Sequence, residues 1–195
     1  VNTIREMKLK EPFFLFVNLM EAHDPYVGKK GEDLNWSTPF LRKKVSNELI
    51  NKWKRLYKVG VAKASNYSYQ IASHLLEAYG ENTIIIITSD HGQAFNEHGF
   101  IGHGTVLHDE VVKVPFIIHV PPKMSTRKGS GMISLVNVRS FLLAAIKGEK
   151  HPLTKLYSKK VYAESFGIPS KLSNSKGIDT KKLAKFEKYQ KRTFK

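Results

Sequence analysis

At 195 residues the chain is long enough for one α/β domain with a real core. It contains no cysteine, which excludes disulfides and thiolate metal sites, so any metal must be held by oxygen and imidazole. The formal net charge is +15, and the stretch 147–195 alone, with 14 Lys/Arg against 4 Asp/Glu, supplies +10 of it. A balance this basic suits nucleic acid, an anionic membrane or a small negatively charged substrate, although a Lys-rich solvated face explains it most simply. Nucleic-acid binding rests on charge alone, since no stacking-aromatic or helix-turn-helix pattern accompanies it. No apolar run is long enough to span a membrane and no secretory leader opens the chain, so a membrane is not indicated and the cytoplasm is the default compartment.

Residues 1–10 are polar and read as a short helix. Pro12 introduces Phe13-Phe14-Leu15-Phe16-Val17-Asn18, an aromatic and β-branched run of strand length. It ends in Leu19-Met20-Glu21-Ala22-His23-Asp24-Pro25-Tyr26, where Pro25 excludes further pairing, so His23 and Asp24 lie just past a strand end. A Gly- and Asn-containing loop with Trp36 occupies 27–40. Ser46 can then cap a helix whose apolar stripe runs from Leu49, Ile50, Trp53 and Leu56 to Ile71, Leu75 and Tyr79, stopping at Gly80. Gly60 predicts a break or bend in it. That helical crossover leads to Thr83–Thr88, an uncharged β-branched run that reads as a buried central strand.

This strand ends abruptly in Ser89-Asp90-His91-Gly92, and the loop to Gly104 adds Glu97, His98 and His103. Val114–Val120 reads as the next strand, with Pro115 at its start. The stretch 121–132 reads as a flexible basic loop. Asn137 can cap a helix over Val138–Ile146 that Gly148 ends. Val161–Glu164 is a short strand, and Ile178–Arg192 reads as a Lys-rich amphipathic helix. The whole, 1–195, reads as a single α/β domain fragment with a basic segment over 147–195.

Of the eight histidines, His74, His119 and His151 sit in helix, strand and loop contexts that suit structural or surface roles, and His108 is ambiguous. His23, His91, His98 and His103 each lie in a turn or loop beside glycine, proline or an acid, where backbone and ligand can approach closely. As a set they mark a site, at the strand carboxyl ends where α/β proteins bind ligands. Asp90 offers a hard anionic oxygen and His91 a borderline nitrogen, a pair suited to Zn²⁺ or Mn²⁺ and tolerable for Ca²⁺ or Mg²⁺. Two ligands do not complete a site, and His23 or Asp24 could approach. His103, between two glycines, could contact an anion or protonate a leaving group. A metal, imidazoles and a positive surface together suit a sulfate or phosphate ester.

The stretch SDHGQAFNEHGFIGHGTVLHDEVVKVPFIIHVP resembles the sulfatase family of the alkaline phosphatase superfamily, with its strand ending in Ser-Asp-His-Gly or Ser-Asp-Asn-Gly, its Glu-His-Gly and its basic-Val-Pro strand. FFLFVNLMEAHDPY resembles the family's His-x-Pro-Tyr strand end. SLVNVRSFLLAAIKG resembles its following helix, and Tyr162-Ala163-Glu164-Ser165-Phe166-Gly167 its Ala-Glu-Ser-x-Gly turn. The resemblance implies an alkaline-phosphatase-like, three-layer α/β/α sandwich around a mixed, largely parallel sheet. It implies Asp90 and His91 as ligands of a divalent cation (Ca, Mn or Zn), and His23 and His103 as catalytic and substrate-binding groups on a small anionic ester. Glu97 and His98 become loop-structuring residues.

Two residues depart from the family's pattern, His91 and Ser68, the latter near where the family's helix commonly carries an aspartate. His91 stands where calcium-dependent arylsulfatases usually carry asparagine, which favours a transition metal and phosphoester chemistry. His103 stands where many sulfatases have lysine and the phosphoethanolamine transferases have His-Gly. The family's nucleophile, in Cys/Ser-x-Pro-x-Arg or as a threonine, lies in an amino-terminal half with no counterpart among these residues. The expectation is therefore part of a metal-dependent sulfate-ester hydrolase whose missing amino-terminal half is its obligatory partner, inactive without it. The alternatives are a phosphoester hydrolase, a phosphoethanolamine-type transferase, or a non-catalytic anion binder.

Overall fold

The computed structural model describes residues 1–24, 26, 45–104, 106–124 and 126–165, together with the backbone of 191–194. The described chain forms two compact units. The first comprises the described residues of 1–80 with Phe95–Gly102, and the second those of 81–94, 103–165 and 191–194.

In the first unit a short helix α1 (Asn2–Glu6) precedes the long helix α2 (Asn47–Tyr79). Ser46 caps α2 as its sequence predicts, its hydroxyl accepting from the Leu49 amide at 3.2 Å, with Glu48 in the first turn favouring the positive end of the helix dipole. Gly80, at φ 74°, ends it. The apolar stripe delivers Ile50, Trp53 and Leu56 to a core that Tyr26, Phe95 and Ile101 complete. Each fully buried side chain of this kind contributes about 1.5–3 kcal/mol.

The expected break at Gly60 is absent, because α2 runs unbroken through it for 33 residues. Gly60 serves close approach instead: a Cβ there would lie 2.1 Å from the carbonyl oxygen of Glu21. Helix α2 thus packs backbone to backbone on the turn that carries His23. The stretch 13–18, expected as a strand, pairs with no strand among the described residues. Phe13 and Leu15 are half-buried while Phe14 and Phe16 are 81% and 79% exposed, so the period-2 pattern survives without the ladder. Strands β2 (Ala94–Phe95) and β3 (Ile101–Gly102) close a hairpin in which the Asn96 amide donates to Phe100 O.

In the second unit β1 (Ile85–Thr88) pairs antiparallel with β4 (Phe116–His119), in the register Ile86 to Ile118 and Thr88 to Phe116. Pro115 lies just before β4, where its missing amide costs the ladder nothing. Between them sits one turn of helix, α3 (Asp109–Val112). Ile84, Ile86, Phe116 and Ile118 pack on Phe141, Leu153 and Leu156, so β1 is half-buried rather than wholly enclosed. Phe141 belongs to α4 (Val138–Ile146), which follows a 3-10 turn at Leu135–Asn137. Asn137 does not cap α4. It has helical dihedrals, and its side-chain amide donates to Leu156 O at 3.1 Å, a tertiary bond that outcompetes the local cap.

The stretch after β4 is held at several points. Met124 joins the Phe141 cluster, and β5 (Met132–Ile133) pairs with β6 (Tyr157–Ser158). Gly129 lies so close to the Tyr157 ring that a Cβ would meet it at 2.7 Å. Strand β7 (Val161–Glu164) pairs antiparallel with β8 (Lys191–Phe194).

The helix expected over Ile178–Arg192 therefore cannot include Lys191 and Arg192, whose backbone bonds go to β7; residues 178–190 lie outside the described residues, as do Trp36 and the loop 27–40. The pairs β1–β4, β5–β6 and β7–β8 are all antiparallel, so the largely parallel sheet expected from the sequence is not seen among the described residues. An apolar β-branched run specifies a strand but not the direction of its neighbour.

Candidate active site

Asp90, His91 and His103 all belong to the second unit, and His23 belongs to the first. The loop after β1 is set by backbone docking. Gly92 N donates to Val111 O at 2.7 Å, and a Cβ on Gly92 would stand 2.2 Å from Glu110 O. Only glycine lets the loop lie that close to α3, which explains the glycine after Asp90-His91.

On this docked loop Asp90 is an exposed carboxylate, with 88% of its side chain accessible. Its Oδ1 accepts from the His91 amide at 3.0 Å, which turns Oδ2 towards the ring, 3.7 Å from His91 Nε2. His91 Nδ1 lies 2.8 Å from Gly92 O. A carbonyl can only accept, so Nδ1 carries the proton and, in the neutral ring, Nε2 carries the lone pair. Two acceptors, Oδ2 and Nε2, then face each other with no donor between them. Their separation is close to the roughly 3.4 Å spanned by two tetrahedral ligands at about 2.1 Å from one cation. The donor set fits a divalent cation in chemistry and in spacing. No group of three His, Asp or Glu side chains converges among the described residues, so this pair by itself does not complete a cation site.

The His103 ring stacks on His91, with centroids 3.9 Å apart and planes 21° from parallel. His103 Nδ1 lies 2.8 Å from Gln93 Oε1, and Gln93 Nε2 is buried without a hydrogen-bond partner. The turn that presents His103 is held from a third segment: Ser165 Oγ donates to Gly104 O at 3.0 Å, across 61 residues. Gly104 itself is at φ 85°, which a side chain would strain. Two residues without an assigned role in the sequence thus steady His103. Gln93 had no motif to mark it. Ser165 was visible in the Ala-Glu-Ser turn, without its partner; the rest of that turn, Phe166-Gly167, lies outside the described residues.

In the first unit His23 is exposed, with its ring Nδ1 against the carbonyl of Asp24 and its amide donating to Met20 O at 3.0 Å. Tyr26, only 3% exposed, anchors this turn. Its ring meets Tyr57 edge-on at 5.7 Å and lies tilted over Phe95 at 6.2 Å. Burial first, then the nearby Asp24 and Tyr57, push the Tyr26 phenol well above its usual range, so it stays protonated.

Glu97 structures its hairpin. Its carboxylate accepts from Phe95 N and pairs with Lys54 Nζ on α2 at 2.9 Å. Burial raises its pKa, but the Lys54 hydrogen bond and charge, with the amides of Glu97 and Phe95, outweigh burial and lower it below 4.5. His108 is buried at the start of α3, its carbonyl accepting from Val111 and Val112 N.

A family model described as Sulfatase matches residues 1–148, three-quarters of the chain. An uncharacterized sulfatase of Escherichia coli (strain K12), YidJ, is 26% identical to this chain, over 57% of this chain and 27% of that protein. The chain thus spans about a quarter of that relative's length. No solved structure matches it.

Proposed function

This chain belongs to the sulfatase family, with the alkaline-phosphatase-like α/β fold that membership implies, and from that premise we propose that it forms part of a metal-dependent hydrolase of sulfate esters. The observation that carries the reading is the Asp90–His91 pair at the end of β1, two facing acceptors at cation-sharing distance when the ring is neutral, with His103 stacked on His91. Asp90 and His91 would hold a divalent cation (Ca, Mn or Zn). Such a cation, when bound, supplies Lewis-acid stabilisation of charge on ester oxygens.

The chain's own residues do the rest. His103, in its charged form, donates Nε2–H to a substrate oxygen or to the departing one, and His23 contacts the oxyanion. The substrate would be a small anionic ester. The nucleophile would come from elsewhere in the whole protein. The whole domain would be a three-layer α/β/α sandwich around a mixed, largely parallel sheet.

A second reading, phosphoester hydrolysis or phosphoryl-linked group transfer, is favoured by two residues: His91 where an asparagine would suit calcium, and His103 where lysine would suit sulfate. Assay of the whole protein on 4-nitrophenyl sulfate and 4-nitrophenyl phosphate with Ca²⁺, Mn²⁺ or Zn²⁺ tests both. Sulfate-ester turnover that falls about 10–100-fold in Asp90→Ala and about 10²–10⁴-fold in His103→Asn is expected. Preference for the phosphate ester would select the second reading, and turnover indifferent to both substitutions would overturn the site.

A further inference from the structure

We propose that Gln93 is the positioning residue for His103, fixing its ring orientation and its tautomer so that Nδ1 keeps a proton and Nε2 is the nitrogen that works. Gln93 follows directly on the docked loop, whose backbone is held by Gly92 on Val111 O and by close approach to Glu110 O. His103 stands on a separate turn. The 2.8 Å contact from His103 Nδ1 to Gln93 Oε1 links the two, and an amide oxygen can only accept. Nδ1–H is therefore committed to Gln93.

The neighbouring ring is treated alike: His91 Nδ1 is committed to Gly92 O, 2.8 Å away. Adjacent residues 92 and 93 thus supply the two oxygens that hold two stacked imidazoles in the same tautomer. Both Nε2 atoms carry the lone pair in the neutral rings. The proton that His103 gives and recovers is then the one on Nε2, and the motion of the ring is limited to that of a loop fixed through its backbone. Hydrogen bonds to the second nitrogen set tautomer and orientation in this way wherever imidazole is put to chemical use.

The amide orientation makes the idea decisive to test. In the opposite orientation Gln93 Nε2 would face Nδ1 as a donor, and the ring would carry its proton on Nε2. How the Nε2 lone pair is used rests on the role given to His103 above, but the tautomer does not, and measuring it needs neither substrate nor metal.

The experiment is nitrogen NMR of the chain labelled with ¹⁵N-histidine, in alkaline buffer where imidazoles are neutral. The His103 signals are assigned by their loss in His103→Asn. The wild type should show a protonated Nδ1 and an unprotonated Nε2. Gln93→Leu, which removes the acceptor, should lower that tautomer ratio about five-fold, and Gln93→Glu, which restores an acceptor, should keep it. A proton on Nε2 in the wild type would overturn the proposal, as would a ratio unchanged in a folded Gln93→Leu chain. Should Gln93→Leu not fold, the wild-type and Gln93→Glu signals still decide.

Discussion

An exposed carboxylate beside an imidazole usually behaves as an ion pair of little consequence, worth about 0–1 kcal/mol. Asp90 and His91 differ when the ring is neutral, because its one N–H is then given to Gly92 O and not to Asp90. With Nδ1 tied to Gly92 O and Oδ1 to the His91 amide, the atoms left facing each other are both acceptors. A cation relieves that arrangement. Titration calorimetry with Mn²⁺ and Zn²⁺ should show weak binding by the chain and a loss of about 10–100-fold in Asp90→Ala or His91→Ala. Equal affinity in all three proteins would remove the pair from the site.

Glu97 carries a second prediction at this scale. Its carboxyl is held below 4.5, so the stabilisation from Lys54 and the two amides is complete above that value and fades as pH falls through the lower folded value. The difference in Tm between wild type and Glu97→Gln should be largest near neutral pH and shrink in acid. A difference independent of pH would mean that the carboxylate's charge is not what matters. Residue types near glycine were enough to single out Asp90, His91 and His103 from the sequence. Gln93 and Ser165 were not singled out, because each acts on a residue brought close only by the fold.

Element by element, the apolar periods were readable and the contacts between backbones were not. Helix α2 follows its stripe from a Ser46 cap to a Gly80 stop, as the spacing requires. Gly60 misleads because a glycine in a helix weakens it locally, whereas its actual use depends on the turn at Glu21–Ala22. The two effects of Gly60→Ala have opposite signs. Alanine improves helix propensity by about 1 kcal/mol, yet its Cβ would stand 2.1 Å from a backbone oxygen that no rotamer change can move. Overpacking wins where the obstacle is main chain, so Tm should fall by roughly 3–8 °C. A rise in Tm would show that helix and turn separate at little cost. The run 13–18 teaches the complementary point. Its aromatic and β-branched residues read as a strand, but such a run says nothing about which strand lies beside it, and among the described residues none does.

At the scale of the whole molecule, 32 basic residues against 17 acidic ones leave a charge of +15 that the exposed ion pairs do not cancel. Pairs such as Lys113–Asp109 and Lys155–Glu149 lie in high dielectric, where salt weakens them only slightly because they contribute little at the start. Net repulsion is the larger electrostatic effect, and it opposes compaction. Raising NaCl from about 10 mM to about 150 mM shortens the screening length from about 30 Å to about 8 Å. Thermal stability should therefore rise with salt by a few degrees, and a fall would mean that attractive pairs outweigh the excess charge. The same excess draws anions, which separates a general field from a site. A few millimolar sulfate, compared with NaCl of equal ionic strength, should raise Tm further in the wild type. His103→Asn should respond to sulfate and chloride alike, because the substitution leaves the field nearly unchanged and removes only the local contact. If the variant kept the extra sulfate response, the anion would be held by the basic surface at large, and His103 would have no part in binding it.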